Sequence, residues 1–166
     1  MPLGDAYLEL VTVVDEAEAA ESVFGRWVAS GLESGSGRLL GWVARTDRLD
    51  EVAGRLGLTV SAGSRPGRDG RLLRWRLAGF EEAAAEPTLP FFVEWGPGTP
   101  LPSRAPVTHP AGAVRLAQLQ LVGEPDRLGA WLGDHSLPIE VRTGSPGVAA
   151  VVLSGGAREI VIRGPA

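Results

Sequence analysis

The strongest constraint on this fold is a pattern that occurs twice. RTDRLDEVAGRLGLTVSAGSRPG, from Arg45, and GEPDRLGAWLGDHSLPIEVRTGSPG, from Gly123, both place Asp-Arg-Leu where a helical pattern opens. Each continues through a break and a β-type run to a turn ending in Pro-Gly, with Asp47 and Asp126 at the same point of the two copies. A repeated supersecondary unit constrains both halves of a chain at once.

In the first copy, LLGWVAR (39–45) reads as a strand, and Thr46 or Asp47 caps a helix. Leu49, Val52, Ala53 and Leu56 fall at helical spacing before Gly57 ends the run. LTVSAG, RLLRWRLAG and PFFVEWG follow as three β-runs separated by Gly and Pro turns. In the second copy, AVRLAQLQLV (113–122) precedes a helix carrying Leu128, Trp131 and Leu132, then LPIEVR, VAAVVLS and REIVIR. Both copies therefore read β-α-β-β-β, joined by the proline-rich connector GPGTPLPSRAPVTHPAG. Ahead of them, AYLELVTVV (6–14) reads as one more strand. It leads into a helix striped by Ala20, Val23, Phe24, Trp27 and Val28, then the link ESGSG. The expected organisation is a strand and helix over 1–37, a module over 38–98, a connector over 99–112 and a second module over 113–166. The fold class is α+β, with tandem βαβββ modules forming an open, curved mixed sheet.

Composition removes several classes of function. Formal net charge is −4, with a pI near 5.2, so no basic footprint points to nucleic acid. No apolar run approaches the roughly 18 residues that suggest a membrane span, and MPLGDAYLEL does not read as a secretory signal. Cysteine is absent, which excludes disulfides, thiolate nucleophiles and Cys-based metal sites. A cytoplasmic location is expected, and the preference for Ala, Gly, Pro and Arg is that of a GC-rich, bacterial genome.

Strand alternation sorts the residues onto faces. Leu73, Trp75 and Leu77 are expected beneath the helix, with Arg74 and Arg76 opposite; Phe91, Val93 and Trp95 likewise leave Phe92 and Glu94 opposite. In the second module, Leu119 and Leu121 leave Gln118 and Gln120, while Glu140, Arg142 and Glu159 point the same way. A concave face carrying these groups is the expected small-molecule site. The same alternation also yields plain cross-strand pairs, Arg74 or Arg76 with Glu94 and Arg142 with Glu140, worth about 0.2–1 kcal/mol each. Alternation alone favours that structural reading.

RLLGWVARTDRLD, GSRPGRDGRLLRWRLAG and LPFFVEWG followed by HPAG resemble glyoxalase-like domain proteins of the vicinal oxygen chelate superfamily. The resemblance implies paired βαβββ modules around a divalent metal, with ligands on the first and last strands of each module. Carried over, Glu94 and Glu9 match last-strand glutamates, Gln118 stands near a first-strand ligand position, and Glu159 near a last-strand one. Trp42 occupies a position where the superfamily places a His, so it is assigned with Arg74, Arg76, Phe92 and His109 to substrate binding. Glu94 is also the candidate catalytic carboxylate. Oxygen donors suit Mg²⁺, Mn²⁺ or Ca²⁺ better than Zn²⁺, and a metal-free site is equally compatible with these departures. Relatives begin with a further module, of which 6–14 resembles the last strand. Its unpaired edge implies a second chain, hence a homodimer. The implied function is binding of a small oxygenated or anionic molecule, with metal-assisted lyase or isomerase chemistry. The alternative is a non-catalytic sequestering module or a degenerate enzyme.

Three further features carry less. His135 follows a helix end, where a cation suits the dipole. GSRPGRDG lacks P-loop spacing and reads as a hairpin loop offering Arg65 or Arg68 to an anion. The glycines of GLESGSG fit neither a dinucleotide fingerprint nor a serine-nucleophile motif with triad partners.

Overall fold

The computed structural model describes residues 1–33, 39–67, 70–110, 112–156 and 158–164. Two helices open the chain, α1 (Glu16–Glu21) and α2 (Val23–Glu33). The first unit follows as β1 (Val43–Arg45), α3 (Leu49–Leu56), β2 (Val60–Pro66), β3 (Leu72–Ala78), α4 (Phe80–Ala85) and β4 (Phe91–Trp95). A short 3₁₀ turn at Pro102–Arg104 precedes the second unit: β5 (Val114–Val122), α5 (Pro125–Leu132), β6 (Ile139–Arg142), β7 (Gly147–Gly155) and β8 (Arg158–Arg163).

The element order repeats as the sequence implies, apart from α4, but the strand pairing does not. The first sheet runs β1-β4-β3-β2, with α3 carrying the chain to the far edge and β4 inserted parallel to β1. The second runs β6-β5-β7-β8, with β6 parallel to β5 at its side. Length separates the two solutions. A strand of nine residues such as β5 can sustain a ladder on both sides, whereas β1, with three, remains an edge. The fold is α+β with two four-stranded mixed sheets.

The front of the chain departs from expectation twice. Residues 6–14 form no strand; Tyr7 makes an isolated bridge to Pro2, and Leu10 is 97% exposed. An extended segment without an adjacent edge has no ladder to join. The edge that implied a second chain is therefore not formed. The single expected helix is instead broken at Ser22, whose Oγ accepts the Gly25 N–H (2.9 Å) and so caps α2. Gly25 itself lies against Ala19, where a Cβ would sit 2.2 Å from the backbone oxygen. The link expected at 33–37 lies, but for Glu33, outside the described residues.

One core serves both units. Ala44, Ala78 and Phe92 of the first sheet, Leu49 and Ala53 of α3, Leu128 and Trp131 of α5, and Leu119 and Leu121 of β5 belong to a single buried cluster. Phe92 and Trp131 stack with centroids 6.3 Å apart, and the Trp131 indole donates to the Pro90 carbonyl at 2.9 Å. Arg55 of α3 donates to the carbonyls of Ala130 (2.6 Å) and Trp131 (2.8 Å), closing the C-terminal end of α5. Fully buried Thr88 joins the units at their other contact: its hydroxyl donates to the Val122 carbonyl and accepts the Gly147 N–H.

Candidate functional site

Glu94 and Arg76 are directly opposed on the antiparallel pair β3–β4. They share a face with Ala78 and Phe92, also directly opposed, and that face packs beneath α3. Arg76 Nε and Nη2 donate to Glu94 Oε2 at 2.9 and 2.5 Å, while Nη1 and Nη2 each meet a carboxylate oxygen of Asp50 at 3.0 Å. Glu94 Oε1 accepts the Leu49 N–H at 3.4 Å. The residue before α3, Arg48, offers no side-chain cap, so Glu94 reaches across from the sheet to serve the helix start. The bonds to Asp50, then those to Glu94, hold the Arg76 guanidinium protonated well above its ordinary range. Each Glu94 oxygen is therefore already an acceptor for a donor of this chain.

This corrects the expected faces of the first unit. Phe92, Glu94 and Arg76 lie on the helix-covered side, and the face of Trp75, Val93 and Trp95 is the other one. That other face is aromatic. Trp75 and Trp95 meet edge-on at 6.0 Å, Phe80 of α4 packs on Phe91 at 5.3 Å, and Trp27 of α2 packs on Phe80 at 5.4 Å. Gly63 of β2 makes room for Trp75, since a Cβ there would lie 2.5 Å from the ring. Both faces of this sheet carry large apolar side chains, so alternation could not say which one α3 covers.

In the second unit the expected faces hold over residues 118–121. Leu119 and Leu121 meet α5 in the core, while Gln118 and Gln120 turn away and bond each other at 2.9 Å. Arg142 donates twice to Glu140, at 3.0 and 2.9 Å. Because the two helix-covered faces share one core, Glu94 points toward it and Gln118 away from it. The polar groups of the two sheets do not converge on a common hollow. Glu9 is exposed on the irregular N-terminal segment, and Glu159 is exposed on β8, opposite Ser154. The expected donors Glu9, Glu94, Gln118 and Glu159 thus stand in separate places, and no group of three His, Cys, Asp or Glu suited to a metal occurs among the described residues. The donor set does not fit the divalent metal implied by the resemblance.

The remaining expected residues fall into two groups. Trp42 donates its indole N–H to the Thr88 carbonyl (3.0 Å) and packs against the core, and Arg74 is exposed on β3. His109 instead lines a depression of about 660 Å³ between the N-terminal segment, the connector and the start of β5. Its Nε2 donates to the Pro2 carbonyl at 2.8 Å, fixing the ring, and its Nδ1 has no partner among the described residues. Arg104 lines the same depression and makes no ion pair among the described residues; the rest of the wall includes Pro2, Pro106 and Val107. Sequence reasoning missed Arg104 because the connector has no periodicity to mark it. Arg68, offered earlier for an anion, lies outside the described residues.

Nearby in the chain, burial and then the charge of Glu9 push the Tyr7 hydroxyl up to about 12, against a smaller opposing effect of Arg65. Among the described residues, no helix is long and apolar enough to cross a membrane. A family model described as a glyoxalase-like domain matches residues 1–135. No curated protein and no solved structure shows a significant match.

Proposed function

The chain belongs to the glyoxalase-like domain family of the vicinal oxygen chelate superfamily, and from that premise we propose that it binds a small oxygenated anion without metal-assisted chemistry. The observation that carries this reading is the meeting of Arg104 and His109 in one depression with an otherwise largely apolar wall. A guanidinium with no carboxylate partner among the described residues is a ready counter-ion for a carboxylate or phosphate. Nδ1 of His109 adds a second polar contact on a ring already oriented by Pro2. The volume of about 660 Å³ falls within the ordinary range for small-molecule sites.

Metal-assisted lyase or isomerase chemistry would need Glu94 to exchange Arg76 for a cation. That costs the pair its charge-assisted bonds and strips α3 of its acceptor at Leu49. The carboxylate acts here as a structural group, so the sequestering module is the better-supported of the two readings.

The test is calorimetric titration with inorganic phosphate and a short dicarboxylate such as malonate. Saturable binding that is lost in Arg104→Ala and retained in Glu94→Gln is the expected result. Binding abolished by Glu94→Gln in a folded protein, with Arg104→Ala unaffected, would overturn the reading.

A further inference from the structure

Of the four sheet edges among the described residues, β8 is best suited to take another strand. β1 has three residues and β6 four, while β2 carries Gly63 and ends at Pro66, which has no N–H to offer. β8 has six residues without Gly or Pro, and it leaves Ile160 42% and Val161 38% exposed. Such an edge is a template for pairing unless something blunts it.

The direction of its backbone groups follows from the ladder. The Gly164 N–H donates to the Ala149 carbonyl at 3.1 Å. Because inward and outward groups alternate along an antiparallel pair, Ile160 and Ile162 direct theirs to β7. Glu159, Val161 and Arg163 direct theirs away from the sheet.

We propose that β8 pairs antiparallel with β8 of a second copy of this chain, about a two-fold axis through Val161. This register matches outward group to outward group. It sets Val161 against Val161, Ile160 against Ile162, and Glu159 against Arg163 twice over. Opposite charges directly across a ladder stabilise it, and neither Glu159 nor Arg163 has an ion pair among the described residues. Sliding the pair by two residues keeps the backbone match but loses both charge pairs, so the charges select the register. The symmetry is that of an isologous dimer. β8 lies beyond the residues matched by the family model, and none of its residues lines the depression, so the inference stands apart from the ligand proposal.

Sedimentation equilibrium on the full chain tests it. The wild-type chain is expected to dimerise. Glu159→Arg and Arg163→Glu, each placing like charges opposite one another, are expected to weaken the dimer by on the order of tenfold or more. An equimolar mixture of the two variants restores complementary pairs and is expected to dimerise again, which misfolded variants would not do. Val161→Pro removes an outward N–H without touching the β7 ladder and is expected to weaken the dimer too. A monomeric wild type, charge variants that associate like wild type, or a mixture that stays monomeric would each overturn the proposal.

Discussion

Arg76 Nε and Glu94 Oε2 stand 2.9 Å apart across β3 and β4, and the same guanidinium grips Asp50 at the start of α3. This relationship accounts for a carboxylate within an otherwise apolar strand. Glu94→Gln removes the charge from a partly buried pair, while the amide retains some hydrogen bonding. A modest loss of folding stability is expected, limited by solvent screening of the half-exposed guanidinium and read from urea denaturation with an unchanged m-value.

Thr88 is fully buried and holds the end of β5 to the start of β7. Thr88→Val keeps the shape but leaves the Val122 carbonyl and the Gly147 N–H without their partner. A loss of about 2 kcal/mol or more is expected, and a neutral substitution would show that these groups find other partners.

The shared core makes a statement about cooperativity. Trp131 sits on α5 but stacks on Phe92 of the first sheet. Trp131→Ala is expected to cost about 3–5 kcal/mol and to lower a single unfolding transition seen equally by circular dichroism and fluorescence. Two separated transitions would mean that the units fold apart.

Tyr7 is the chain's one tyrosine, so its titration can be followed alone by phenolate absorbance. Folding raises its pKa from 10.0 to about 12, mainly by burial. The folded state thus favours the neutral phenol. Its contribution is fully present below pH 10 and is lost as the pH rises through 12. Tyr7→Phe is expected to remove that part of the alkaline stability loss.

Much of the fold was legible because local signals agreed. Leu49, Val52, Ala53 and Leu56 with Gly57 fixed α3 and its end, where Gly57 adopts φ +69°. The β-runs of both units all formed strands. The FEEAAA stretch that forms α4 went unread among the β-runs, although its residues are good helix formers with acidic groups in the first turn. Strand pairing is not a local property, and it made the two units differ. The site was harder still. Leu73, Trp75, Phe91 and Trp95 offered as good an apolar face as Phe92 and Ala78, and only tertiary packing decided which one α3 covers. Gln118 and Gln120 were placed correctly because Leu119 and Leu121 gave their strand one clear core face. Arg104 had no pattern around it at all.

Glu94 is committed to Arg76 and the start of α3. Titration of Mn²⁺ into wild type and Glu94→Gln, followed by the paramagnetic resonance of the free ion, tests it most directly. The expected result is the same weak binding in both proteins. A tight, stoichiometric site in the wild type that vanishes in a folded Glu94→Gln protein would contradict it.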